Sequence, residues 1–209
     1  MRLLRIALVV WLASVGASSA ATITAASCAS SAVQTAINAA VNGDTVIIPN
    51  GSCTWSTGVS ISGKGVMLLG QSLAGVIITN NVGGTAISVK ENSAFHTEVG
   101  RMTINGNSSG VAIVVDPLNS PNDTGGRAVL VHDIAFTNSN AIRMNTNRGV
   151  IFSITANNHG GTQEVVQCKP QSLTSSWNTP STMGTADMAG ESDVYIEDST
   201  FTEQNLSSE

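Results

Sequence analysis

The segment Asp133-Ile-Ala-Phe-Thr137 is the clearest indication of the fold, because imperfect copies of it recur along the chain. In each copy the second and fourth residues are mostly apolar and the others are mostly small or polar, which is the period of a half-buried β-strand. A constant strand motif at variable spacing predicts a β-solenoid, in which every coil needs the same inward residues while its loops are free. The other copies are Arg101-Met-Thr-Ile-Asn105, Ser153-Ile-Thr-Ala-Asn157 and Asp198-Ser-Thr-Phe-Thr202.

The rest of the chain is built from short β-branched runs bounded by turn residues, and it contains one predicted helix. Thr45-Val-Ile-Ile48 is typical of the runs, and a disordered chain would not show such a punctuated pattern. Apolar residues at helical spacing predict a helix over about 30–42, capped by Ser30 or Ser31 and ended by Asn42-Gly43. Such a helix can cover the open end of a stacked sheet.

These elements resemble the pectin-lyase-like right-handed parallel β-helix superfamily. The resemblance is carried by the recurring Asp-x-x-Phe-Thr strands, by Ala36-Ile37-Asn38-Ala39-Ala40 in the helix, and by the strand from Gly43-Asp44-Thr45-Val46 to Pro49-Asn50-Gly51. It covers about residues 28–209 and implies an all-β, right-handed parallel β-helix with an N-terminal capping helix. The superfamily contains polysaccharide lyases, glycoside hydrolases, epimerases and non-catalytic surface proteins, so the fold does not decide the activity.

The N-terminal end of the sequence predicts export, and the C-terminal end predicts that the natural protein is longer. Residues 1–20 have the basic start, apolar run and small residues of a secretory signal peptide, so residues 21–209 would be the first part of the β-helix domain. We therefore expect an extracellular or periplasmic protein that is not integral to a membrane, and we expect a monomer. The last coil has no capping element after it, which predicts that the natural protein continues beyond Glu209.

The net charge limits the possible binding partners, and the cysteine content limits the possible disulfide bonds. The net charge of −5 argues against a nucleic-acid partner and mildly against a polyanionic substrate. Of the three cysteines, Cys28 and Cys53 flank the first helix and strand and are the best candidates for a disulfide. Cys168 has either a partner beyond Glu209 or a buried free thiol, and no cysteine pair has zinc-ligand spacing.

Outward residues of neighbouring coils are the candidates for catalysis, because the resemblance places a sugar polymer in a groove along one stacked sheet. Asp133 and Asp198 occupy the same position of two copies. If they are two coils apart, their backbones lie roughly 9–10 Å apart, near the carboxylate separation that an inverting glycosidase needs. The alternatives are that Asp133 binds turn backbone or pairs with Arg101 on the next coil.

A lyase would need different groups. β-Elimination needs a base such as Arg143 and Ca²⁺ held by acidic residues, but no calcium-ligand spacing is recognisable. His132 precedes Asp133, and since adjacent strand residues face opposite ways, the two are not expected to form a dyad.

The long polar insertion over about 159–190 is the candidate for specificity, because long loops on a rigid scaffold tend to be functional. Trp177 lies in it and would stack on a sugar or pin the loop, and Arg101 and Arg148 are further candidate substrate-binding residues. The favoured function is therefore a secreted protein that binds and depolymerises a polysaccharide. The alternative is a non-catalytic adhesive solenoid, which the outward Thr, Asn and Ser residues also fit.

Overall fold

A computed structural model describes residues 19–106, 110–118, 126–138, 140–146, 149–157, 166–168 and 194–202. Within these ranges the chain forms one helix and fifteen strands, most of them short and rich in β-branched residues. In chain order the elements are β1 (Thr22–Thr24), α1 (Ser30–Ala39), β2 (Thr45–Ile48), β3 (Gly51–Trp55), β4 (Val59–Ile61), β5 (Met67–Gly70), β6 (Val76–Asn80), β7 (Ile87–Lys90), β8 (Thr97–Gly106), β9 (Val111–Asp116), β10 (Val129–Thr137), β11 (Asn140–Met144), β12 (Gly149–Asn157), β13 (Val166–Cys168), β14 (Val194–Glu197) and β15 (Thr200–Thr202).

These strands form two parallel sheets. Sheet A runs in the order β1-β2-β5-β8-β10-β12-β14, with β3, β6 and β15 paired beside that path, and sheet B runs β13-β11-β9-β7-β4. Apart from β1 and β2, which flank α1, paired strands are separated along the chain by at least one other strand. Neither sheet closes on itself. The all-β architecture with parallel strand stacking is therefore confirmed.

The core lies between the sheets, and its register is the one that the copied segments predict. Inward residues of β8, β10 and β12 lie directly opposite one another and are at most 1% exposed. Burying one such side chain contributes about 1.5–3 kcal/mol. One row contains Met102, Ile134 and Ile154, and the next contains Ile104, Phe136 and Ala156.

A bend recurs at the first residue of each copied segment. Here φ is positive, at 63° for Arg101, 49° for Asp133, 55° for Ser153 and 45° for Asp198. We call these four residues the bend column. Left-handed backbone costs an L-residue about 1–2 kcal/mol, so the surrounding sheet must hold each bend in place. The bend also shifts the strand alternation by one residue.

The N-terminal end is closed by α1, which packs against β2 and β4 through Val33, Ala36 and Ile37. Val33 and Ile37 lie on this buried face at the helical spacing seen in the sequence, whereas the apolar Val41 lies beyond the helix and is 56% exposed. A disulfide joins Cys28 to Cys53, as predicted. The buried Trp55 indole donates to the Cys28 carbonyl at 2.8 Å and so packs at this end.

The helix differs from its predicted bounds at both ends. The N-cap is Ala29, without a side-chain cap, so the prediction of Ser30 or Ser31 as the cap is wrong. The helix ends at Ala39 because Ala40 is extended, with ψ of 149°. The Lys64 ammonium donates to the carbonyls of Ile37, Asn38 and Ala40 at 3.0, 3.2 and 2.6 Å, which satisfies the helix end earlier than Asn42-Gly43 would.

Several predictions fall outside the described residues. They include most of the signal peptide, most of the 159–190 insertion, Trp177 and Arg148. Inside that insertion the structure adds strand β13, which pairs with β11, so this range is not entirely loop. In the described ranges, no helix has both the length and the apolar character that crossing a bilayer requires.

Candidate functional site

A cluster of Glu98, His132 and Asp133 lies where β8 and β10 pair in sheet A. The His132 Nε2 atom is 2.6 Å from Glu98 Oε1, and its Nδ1 atom is 2.9 Å from Asp133 Oδ2. The three side chains are 7%, 19% and 43% exposed in the order His132, Glu98, Asp133. The imidazole is therefore buried between two carboxylates that solvent and a ligand reach more easily.

The bend at Asp133 creates this cluster. Val131 and Ile134 both face the core although they are three residues apart, because the left-handed backbone at Asp133 breaks the alternation. His132 and Asp133 consequently lie side by side on the outer face. The prediction that the two could not form a dyad is wrong, because it assumed uninterrupted strand geometry.

The hydrogen bonds place a shared proton in the cluster. A carboxylate only accepts, so the bond to Asp133 is donated by His132 Nδ1–H. The bond at Nε2 then holds one proton, either on His132 with Glu98 ionised or on Glu98 with His132 neutral. In both arrangements Asp133 is the acceptor and the Glu98–His132 pair is the donor.

The electrostatics keep Asp133 ionised. Its pKa is lowered from the ordinary 3.8, mainly by the hydrogen bond from His132. Desolvation is the next largest effect and opposes this, and the Ser153 hydroxyl and the charges of His132 and Arg101 lower the pKa further. Ser153 binds Asp133 rather than His132. These three residues therefore do not form the serine–histidine contact that a serine nucleophile requires.

The structure brings some of the predicted site residues together and separates others. Asp133 and Asp198 share the bend column, and Asp198 lies two strands away with Ser153 between them. Arg101 lies in the same column next to Asp133, but its guanidinium donates to the Gln71 carbonyl at 2.8 Å. Arg143 lies on β11 in sheet B, so it does not join the residues on sheet A.

Two outward rows of small polar residues continue from the cluster along the second half of the copied segments. The strand register places the equivalent residues of the copied segments opposite one another in each row. Neighbouring residues of a row are separated by the spacing of neighbouring strands, about 4.8 Å. One row is Thr103, Ala135, Thr155 and Thr200, and the other is Asn105, Thr137 and Asn157.

Glu98 was not identified from the sequence, although a signal for it existed. Extending the alignment of copies four residues upstream places Glu98 opposite Leu130 and Gly100 opposite His132, as the structure does. A charged residue at an otherwise apolar outward position beside a histidine would have marked this site. Among the described residues, no three His, Cys, Asp or Glu side chains are grouped to hold a metal ion.

Comparisons with protein-family models, with characterised proteins and with solved structures find no match to this chain. The geometry of the cluster and of the surrounding sheet is therefore the basis for any functional conclusion.

Proposed function

We propose that this chain is a secreted, right-handed parallel β-helix protein of the pectin-lyase-like kind that binds a polysaccharide along sheet A and hydrolyses it. The proposal is supported by the two parallel sheets, in which paired strands other than β1 and β2 are separated along the chain by at least one other strand. The observation that carries the activity is the Glu98–His132–Asp133 cluster, which pairs a proton donor with an ionised acceptor on one face.

The separation of the two carboxylates suits glycoside hydrolysis. The ring and its two hydrogen bonds hold the bonded oxygens of Glu98 and Asp133 roughly 7 Å apart, within the range of about 6.5–9.5 Å found in inverting glycosidases. Because the His132 ring lies between these oxygens, the sugar and the attacking water would have to approach the two carboxylates from the solvent side. The Glu98–Asp133 pair replaces the Asp133–Asp198 pair as the favoured catalytic pair, because His132 couples Glu98 to Asp133 directly.

The roles follow from the protonation states. In the arrangement in which Glu98 holds the proton, it delivers that proton to the glycosidic oxygen, and the bond from that oxygen to the anomeric carbon breaks. Asp133, kept ionised by His132, removes a proton from the water that attacks the anomeric carbon. The outward threonine and asparagine rows supply hydrogen bonds to sugar hydroxyls on the neighbouring strands.

A lyase is less well supported. β-Elimination would need Ca²⁺ near a base, and the described residues offer no grouped ligands for it. Arg143, the candidate base, lies on the other sheet from the cluster.

A second candidate is the adhesive solenoid. The two outward rows favour it, because they form a regular array of hydroxyl and amide groups without focused charge. In that case the chain would bind a polysaccharide without cutting it.

The test is incubation of the full chain with a panel of plant and microbial polysaccharides, with and without Ca²⁺. New reducing ends without ultraviolet absorbance from unsaturated uronates would support a hydrolase, whereas such absorbance would indicate a lyase. Retained binding without either product would favour adhesion. No binding to any polymer of the panel would contradict the proposal.

Variants identify the catalytic pair. We expect Glu98→Gln and Asp133→Asn each to lower the rate about 10²–10⁴-fold, the usual contribution of general acid–base groups. Asp198→Asn is the matched comparison, since it neutralises an exposed carboxylate in the same column. Full activity of Glu98→Gln together with a large loss in Asp198→Asn would restore the Asp133–Asp198 pair.

A further inference from the structure

We propose that Gly100 and Phe152 are positioning residues, which clamp the His132 ring so that its two nitrogens stay aligned with Glu98 and Asp133. All three lie in one outward row of sheet A, on β8, β10 and β12. The consequence for catalysis rests on the proposed function, but the clamp itself is a property of the free protein.

Gly100 provides the space in which the ring lies. A Cβ added at Gly100 would come within 2.9 Å of both Cε1 and Nε2 of His132. Its neighbour on the other side in the row is Leu69, which carries a large side chain. The imidazole therefore occupies the place that a side chain at position 100 would take, and it lies against the backbone of β8.

Phe152 covers the opposite face of the ring. The ring centroids of His132 and Phe152 are 4.7 Å apart and their planes differ by 4°, which is a stacked arrangement. With backbone on one face and an aromatic ring on the other, the imidazole has no room to turn out of its plane. Its edge can point only along the sheet, toward the two carboxylates.

This arrangement explains why His132 is buried while remaining fully hydrogen-bonded. Rotation of the ring would break the bond at Nε2, the bond at Nδ1, or both, and would leave a buried polar atom without its partner. The clamp therefore keeps the shared proton on the Glu98 side and the acceptor on the Asp133 side.

Nuclear magnetic resonance of the free protein tests the clamp without any substrate. We expect the wild type to show a slowly exchanging imidazole N–H resonance and His132 ring protons shifted by the stacked Phe152. Gly100→Ala should abolish the slow exchange. Phe152→Leu should remove the ring-current shift, and Phe152→Tyr should keep it. Gly83→Ala is the control, since a Cβ there meets nothing within 4 Å.

A second variant is needed because the Cβ of Gly100→Ala would also lie 2.5 Å from the His132 carbonyl oxygen and could disturb the sheet. Phe152→Leu keeps glycine at position 100, so it does not introduce this close contact with the His132 carbonyl oxygen. Wild-type resonances in both Gly100→Ala and Phe152→Leu would overturn the proposal.

Measurements of polysaccharide cleavage test the proposed function separately from the clamp. On the polysaccharide that the wild type cleaves in the reducing-end assay, we expect Phe152→Leu to lower kcat/KM about 10²-fold, to change the pH profile, and to be rescued by Phe152→Tyr. If the resonances change as expected but the wild type cleaves no polymer, the clamp stands and the proposed hydrolase fails. An unchanged rate in Phe152→Leu would show that the clamp does not serve catalysis.

Discussion

Replacement of Thr97 by valine should make the protein more stable. Thr97 begins β8, lies opposite Val129 of β10, and is 1% exposed. Within the described part of the chain its hydroxyl has no hydrogen-bond partner. Valine has nearly the same shape and the same β-branched preference for strands, so Thr97→Val removes the polar atom and leaves the packing in place.

The magnitude follows from the cost of an unsatisfied group. A buried donor or acceptor without a partner costs about 1–3 kcal/mol, and replacing it by an apolar group of the same shape recovers that cost. We expect the free energy of unfolding to rise by about 1–2 kcal/mol in Thr97→Val. For a chain of this size that corresponds to an increase in Tm of roughly 2–8 °C.

Urea unfolding followed by circular dichroism measures this change. The matched control is Thr103→Val in the same strand, whose hydroxyl donates to the Leu73 carbonyl at 2.9 Å. That variant should lose about 1 kcal/mol, because it removes a bond that is made. If Thr97→Val unfolds at the same or a lower urea concentration than the wild type, the Thr97 hydroxyl has a partner and the interior is not dry at this position.

Three further changes have expected outcomes. The double variant Cys28→Ala/Cys53→Ala removes a crosslink that spans 25 residues. Its free energy of unfolding, measured in urea titrations, should be about 3.5 kcal/mol lower than that of the wild type. An unchanged unfolding midpoint would contradict this expectation. Lys64→Met removes an ammonium that binds three carbonyls at the end of α1 and should cost about 2 kcal/mol, whereas the exposed Lys90→Met should cost little. The carboxyl of Asp133 should titrate below 3.8 by nuclear magnetic resonance, and its pKa should rise in His132→Gln. Because the folded-state pKa is the lower one, the stability from this bond is present above the ordinary pKa and is lost as the pH falls through the folded value.

The strand register could be predicted from the sequence because it depends on a repeated local pattern. Ile134 and Phe136 recur as apolar residues at the same two positions of several copies, and parallel stacking places such residues opposite one another. The disulfide was also accessible, since only Cys28 and Cys53 flank the same short unit. These features need no knowledge of how distant parts of the chain approach.

The Glu98–His132–Asp133 cluster could not be predicted in the same way, because it depends on a backbone conformation that the pattern hides. An aspartate at the start of a strand motif is compatible with ordinary extended backbone, and only the positive φ of Asp133 turns its side chain toward His132. The end of α1 was missed for a related reason. Lys64 is 24 residues from Ala40 in sequence, so its contact with the helix end arises from the tertiary fold.

The bend column affects how many neighbouring side chains one strand can present on its outer face. In an ordinary strand, side chains on one face are about 6.6–6.8 Å apart along the chain, because every second residue points away. At each bend two consecutive residues reach the outside, as His132 and Asp133 do. Parallel strands built this way can bring polar side chains to close range from a single strand, and one strand can change its outer residues without altering the regular interior beneath it.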